Sequence, residues 1–287
     1  MWTTRRTVGP SGPICRPDHY VGPATYPVFM LSEHRSGRLV AWGNAWLAGH
    51  TSLDSAAEQV RTDGDEPHRV SGVPGEDGEV GWTVALGRLR AAGVTGLRLA
   101  LPRPGDPLGL KGPAAFNQAA IAAGEAVLTD GPALGIVPSV DGYGPAGDRG
   151  HAVRWTVTPV ESGAAPVPTL SEAERELNSA LRDAAEELAR LDVARWRPEL
   201  AEALAAIRGH GRAPEAVLAP GYPPRAVKVL TQAQRLAAIA DLAGQDEGGS
   251  VTALESRMRA SALVGLERVT RRAQVAAYHS ILEPGAG

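Results

Sequence analysis

Apolar residues recur at two different periods along this chain, and the change from one to the other divides it in two. In the first half, Leu39, Trp42, Trp46 and Leu47 fall at helical spacing and Gly49 follows as a stop signal, although Leu39–Trp42 also fits a buried strand. Thr51 stands three residues before Asp54, a capping-box spacing that opens a short helix to about Arg61. The acidic, Gly- and Pro-rich stretch 62–81 reads as a loop interrupted by a strand at His68–Val70. Val84, Leu86, Leu89 and Ala92 then mark a helix ended by Gly93, and Gly96–Leu101 alternates as a strand. A loop runs from Pro102 to Pro113. Ala114–Ala123 is a second helix with Gly124 at its C-cap. Short apolar strands follow at Glu125–Leu128 and Leu134–Pro138, and in Ala152–Thr158 the residues Val153, Trp155 and Val157 share one face. The expected fold of 25–160 is an α/β (or α+β) domain with a small mixed sheet, preceded by a Pro- and Gly-rich arm over 1–24.

Beyond a linker at 161–168 the period becomes that of a helical bundle. Thr169 and Glu172 form another capping box. Leu170, Leu177, Ala184 and Leu191 repeat every seven residues, interleaved with Leu181 and Leu188. Pro198 opens a second helix that runs through Ile207 to Gly209. Pro223-Pro224 opens a third that stops near Gly244, and Thr252 with Glu255 caps a fourth that runs to about Leu282. An all-α bundle of about four helices is expected over 169–283.

Composition narrows the functional classes. Hydrophobic residues are 43% of the 287, enough for a core in each half, whereas aromatics at 5% leave alanine, leucine and valine to fill it. The formal net charge of −3 is spread evenly: 13 basic and 15 acidic residues precede position 151, and 16 and 17 follow. Neither half has the basic excess of a dedicated nucleic-acid binder. Cys15 is the only cysteine, so no internal disulfide can form, which suits a reducing, cytoplasmic setting. Arg5-Arg6 could open an export signal, but three prolines interrupt the apolar stretch that would have to follow. No apolar run is long enough to span a membrane.

Candidate chemistry is sparse. The loop 102–113 leaves the C-terminal end of a strand and enters a helix N-terminus, the place where α/β sheets usually hold ligands and where free N–H groups favour an anion. Gly105, Asp106, Gly109, Lys111 and Asn117 would line such a site, with Arg103 adding charge. The spacing matches neither a P-loop nor a dinucleotide fingerprint, and a rigid crossover loop is the better explanation of it. Histidines show no metal-ligand spacing; His34 reads as part of an exposed turn and His50 as part of a hairpin turn. Serine and cysteine lack an activating context. Asp63, Asp65 and Glu66, like Glu76, Asp77 and Glu79, read as solvated turns. Arg257, Arg259, Arg268, Arg271 and Arg272 crowd the last helix, but Glu255 and Glu267 make that face mixed. No metal, cofactor or catalytic motif is implied.

Leu97-Arg-Leu-Ala-Leu-Pro-Arg-Pro-Gly-Asp-Pro107, Phe116-Asn117, Ala123-Gly-Glu-Ala-Val-Leu128, Leu191-Asp-Val-Ala-Arg-Trp-Arg-Pro198, Pro220–Val227 and Ala276-Ala-Tyr278 together resemble a family of conserved hypothetical proteins from high-GC actinobacteria. The resemblance covers the chain from about residue 36 onward and implies no activity, cofactor or catalytic residue. Two functions are therefore weighed, the first of them the leading expectation. One is a non-enzymatic interaction or regulatory protein whose helical bundle, with a long last helix reaching beyond it, meets a second copy or a protein partner. The other is a small-molecule or anion-binding α/β domain, possibly an enzyme, with the 102–113 loop at its mouth. Nucleic-acid binding through the last helix is a weaker third.

Overall fold

The computed structural model describes residues 34–61, 65–108, 110, 112–145, 150–161, 167–190, 218–245 and 253–283. The N-terminal arm, Cys15, the helix expected from Pro198 to Ile207, Gly109 and Lys111 lie outside them.

Helix α1 (Arg35–Leu47) starts four residues ahead of the first apolar position in the pattern and is buried on nearly every side. Two glycines make that burial possible. A Cβ on Gly37 would sit 2.7 Å from the Tyr278 ring, and one on Gly43 would collide with Leu97. The helix ends at Gly49, whose φ of +84° is the left-handed value that favours glycine. Helix α2 (Leu53–Gln59) is capped by Ser52, not Thr51: the Ser55 N–H donates to Ser52 Oγ at 3.1 Å. Thr51 is one residue too early for its hydroxyl to reach the third helical amide.

Strand β1 (Asp65–Ser71), helix α3 (Trp82–Ala91), strand β2 (Gly96–Ala100), helix α4 (Ala114–Ala123) and strands β3 (Ala126–Asp130), β4 (Leu134–Tyr143) and β5 (Gly150–Pro159) complete this half. The sheet is mixed, in the order β1-β5-β4-β3-β2, with β1 parallel to β5 and every other pair antiparallel. Its inner face carries Leu97, Leu99, Ile136, Val153, Trp155 and Val157 into the main core. There the Trp82 and Trp155 rings meet edge to face, 5.0 Å apart, and both indole N–H groups donate to Nδ1 of buried His68, at 3.4 and 3.3 Å. That pairing fixes the His68 tautomer with its proton on Nε2. On the outer face Ala100, Ala126 and Val137 pack against Phe116 and Ala120 of α4, and Phe116 lies on Gly135, where any Cβ would strike its ring. Strand β4 runs past Pro138, where its apolar alternation stops, because its far half pairs with β5 while staying exposed.

Three described helices form the rest: α5 (Leu170–Arg190), α6 (Pro224–Gln245) and α7 (Ala253–His279), followed by a 3₁₀ turn at Ser280–Leu282. The Thr169 capping box forms as its spacing requires. The Glu172 N–H donates to Thr169 Oγ1 at 3.3 Å and the Thr169 N–H to Glu172 Oε2 at 2.9 Å. Leu170, Ala173 and Leu177 of α5 turn inward, whereas Leu181, expected in the same seam, is 38% exposed. Arg225 and Gln232 of α6 tie to Ser171 and Asn178 of α5, and Arg272 of α7 to its Glu176.

Helix α7 does not project from the bundle over its whole length. From Ala273 to Ser280 every residue is buried, with Tyr278 in the Gly37 notch of α1. One continuous hydrophobic cluster therefore joins Leu39 and Leu97 to Leu230 and Tyr278.

The end of α7 also solves a problem set by the topology. Strand β2 is at the edge of the sheet, so the backbone groups of Leu97, Leu99 and Leu101 point away from β3 with no strand to meet them. Side chains replace that strand. The Asn44 amide exchanges two hydrogen bonds with Leu97, each 2.8 Å; the Leu99 N–H donates to His279 Nε2 at 2.7 Å; Arg271 Nη1 donates to the Leu101 carbonyl at 2.7 Å. Buried amides left unpaired would each cost about 1–3 kcal/mol. The edge is sealed by α1 and α7 together.

Candidate functional site

The loop after β2 is clasped to α7. Arg103 and Asp106 pair their backbones across a tight turn, 2.9 Å in both directions, with Gly105 at a φ of +81°. The Asp106 carboxylate then takes Arg271 at 3.0 Å and Arg268 at 3.4 Å, while Arg103 meets Glu267 at 3.3 Å. Asn117 closes the far end, its Nδ2 donating to the Gly112 carbonyl at 3.0 Å. Of the residues expected to line a ligand site, Gly105 thus makes the turn, Asp106 anchors the last helix and Asn117 buckles the loop to α4.

A concave site borders the end of this loop at Pro113. Helix α4 covers only part of the outer sheet face, and between it and strands β4 and β5 runs a groove of about 680 Å³. This volume falls within the range of small-molecule sites. Its wall is the alanine side of α4, including Ala119 and Ala122, and its floor includes Val137 and Thr156. Pro113, the last residue of the loop, borders one end; Arg35 and Glu125 border the other.

Glu125 is held by two elements. It follows Gly124, the left-handed C-cap of α4 at a φ of +73°, and its Oε2 accepts the Ser36 N–H at 2.7 Å. A strand-entry carboxylate thereby satisfies one of the open amides of α1, a helix with no acidic residue in its first turn. Burial pushes the Glu125 carboxyl up from its ordinary value, and the Ser36 hydrogen bonds, Arg35 and Arg103 oppose that only in part. Gly124 is further constrained because the Arg103 guanidinium packs where a Cβ would be. His34, expected on an exposed turn, is half-buried at the start of α1. Burial first and the Arg103 charge second lower it to about 4, against the side chain of Gln274 on α7. It is neutral at physiological pH. His34, Arg103, Glu125 and Gln274 therefore form a polar cluster where the loop, helices α1 and α4 and the last helix meet.

Sequence reading missed Glu125, which sits at the head of an apolar strand, and the groove, whose alanines look like ordinary helix filling. The arginines of α7 that the sequence offered to nucleic acid are spent internally where they are described: Arg268 and Arg271 on Asp106, Arg272 on Glu176 at 3.6 Å. Among the described residues no cluster of three His, Cys, Asp or Glu could hold a metal ion, and no helix is long and apolar enough to cross a membrane.

The family model for the N-terminal domain of Rv1486c-like proteins matches residues 36–173, and that for their C-terminal domain matches 171–275. The uncharacterized protein Rv1486c of Mycobacterium tuberculosis is 32% identical over 286 residues, covering 85% of this chain and 96% of that protein. The uncharacterized protein MAV321 of Mycobacterium avium is 28% identical over 309 residues, covering 87% and 97%. No solved structure matches. The resemblance to actinobacterial proteins read from the loop and strand motifs is borne out: the chain belongs to the Rv1486c-like family, with both of that family's domains.

Proposed function

We propose that this protein binds a small organic molecule in the groove between α4 and the outer face of its sheet. The observation that carries the reading is the groove itself: a mostly apolar trough of about 680 Å³ that ends on two charged side chains, Arg35 and Glu125. Apolar walls supply affinity by leaving water, and a few polar groups at one end supply orientation. The loop expected at the mouth of such a site takes part through Pro113, and Asp106 in its middle serves to hold α7. A buried carboxyl pushed up from its ordinary value, beside a concave surface, is also the kind of group that serves acid–base chemistry. Binding is the first step and the one to test.

The reading in which the helical half acts as a partner surface has less behind it. Among its described residues the large apolar side chains that stand exposed are Leu181 at 38% and Val264 at 65%, and they lie on different helices.

Ligand-observed NMR with a fragment panel tests the groove reading. Fragments with an apolar body are expected to bind the wild type and to lose their signal in Ala119→Trp, where an indole fills the trough from the exposed side of α4. Denaturation midpoints should agree between the two proteins. Hits that persist unchanged in Ala119→Trp would place binding elsewhere and defeat the proposal.

A further inference from the structure

The charged end of the groove is answered from within the protein. Among the described lining residues one is a cation, Arg35, and one an acid, Glu125. Glu125 accepts the Ser36 N–H at 2.7 Å, and Arg35 is engaged with a partner of its own. Behind them Arg103 pairs with Glu267 at 3.3 Å, and Asp241 stands beside both. The lining therefore offers no excess of either sign. An ionised ligand would leave water there without a counter-charge to receive it.

The polar groups open to a ligand are on the floor instead. Thr156 and Thr158 flank Val157, whose side chain enters the main core, so both threonines stand on the outer face of β5. They line the groove about 7 Å apart along the strand. Neither hydroxyl is hydrogen-bonded within the protein among the described residues. The wall above them is carbon: Ala115, Ala119 and Ala122 fall at steps of four and three, on one face of α4.

We infer that the groove takes an uncharged amphiphile, its apolar body along the alanine stripe of α4 and a neutral polar group, such as a hydroxyl or carbonyl, on Thr156 and Thr158. This rests on the groove being the ligand site proposed above. A threonine hydroxyl both donates and accepts, so it serves either kind of neutral group. The ten residues of α4 span about 15 Å, ample for a body of roughly eight carbons.

Isothermal titration of the full chain at neutral pH with 1-octanol, octanoate and octylammonium, matched in tail and different in head, tests this. 1-Octanol is expected to bind at least about ten-fold more tightly than either ion. A neutral amphiphile leaves water more readily than an ion on any apolar surface, so two variants tie the preference to this floor. Thr156→Val combined with Thr158→Val keeps the shape, removes both hydroxyls and should weaken 1-octanol about five- to ten-fold. Thr156→Lys puts a cation without a partner on the floor and should raise octanoate affinity at least about ten-fold, with no gain for octylammonium. If none of the three probes binds, or Ala119→Trp leaves 1-octanol bound as before, the groove reading itself falls. If either ion binds the wild type as tightly as 1-octanol, if the double valine variant keeps full affinity, or if Thr156→Lys leaves octanoate unchanged, the groove stands and the inference of a neutral ligand is overturned.

Discussion

Replacing Arg271 with alanine is expected to destabilise the protein by about 3–5 kcal/mol, the cost of removing one partner from a buried, hydrogen-bonded ion pair. The side chain is 8% exposed and does three jobs at once. It donates to the Leu101 carbonyl at 2.7 Å, pairs with Asp106 at 3.0 Å, and lies 3.6 Å from Glu267. Alanine would leave the Leu101 carbonyl at the sheet edge without a donor. Asp106 would be left with Arg268, a more exposed partner at 3.4 Å. The loss comes mainly from stranded polar groups and less from a missing attraction, so Arg271→Lys should recover only part of it: a lysine cannot serve carbonyl and carboxylate together with a planar fork. Urea titration of wild type and both variants reads the difference. A change under about 1 kcal/mol for alanine would mean that the clasp contributes little more than a surface ion pair does.

Acid should weaken the fold well before carboxylates titrate, and His279 should account for much of it. Burial, then the Arg98 charge, hold this histidine near 3, against the pull of Asp130 and the Leu99 amide. An unfolded chain takes a proton near pH 6.5 that the folded chain refuses until about 3. Stability is therefore full above pH 6.5 and falls as pH drops through that window, by about 1.4 kcal/mol for each unit. By pH 5 the loss from His279 is about 2 kcal/mol. His34, lowered to about 4, acts with the same sign. Glu125 acts with the opposite sign, since its folded-state value is raised and acidification relieves the cost of its buried charge. The His279→Gln variant isolates the first contribution. Its amide oxygen can still accept the Leu99 N–H, but the side chain does not titrate. Stability measured from pH 7.5 to 5 should fall less steeply in this variant, with a gap to wild type of about 2 kcal/mol at the acid end. Parallel slopes would show that the folded protein already accommodates a charged His279.

Local chemistry was legible in the sequence, and pairing over distance was not. Gly93 and Gly124 ended their helices where the pattern placed them, with φ of +99° and +73°, and Thr169 met Glu172 as its spacing required. These are contacts within a few residues, and the residue types specify them. Strand β1 was glimpsed at His68–Val70 but runs from Asp65 to Ser71. Its polar opening reads as a loop, and its partner β5 lies more than 80 residues later. The sheet edge was the least readable part. Asn44 reaches across 53 residues to Leu97, and Arg271 and His279 across 170 and 180 to Leu101 and Leu99. Nothing in the neighbourhood of a polar residue on a helix shows that it completes a strand elsewhere. The groove was hidden for a related reason. The alanines of α4 match any packed helix, and only the sheet's greater width, unmatched by a second helix on that face among the described residues, leaves them lining a trough.

The sealing of β2 by α1 and α7 should make the α/β half and the helical half one cooperative body, and it fixes the start of the loop beside the groove. Native-state hydrogen exchange at the Leu97 and Leu99 amides is its most direct measure. Both amides should exchange only when the whole chain unfolds, with the same free energy as the central amides of β4 and β5. Exchange at either amide through a smaller opening, while β4 and β5 stay protected, would mean that α7 comes away from the edge and that the two halves fold apart.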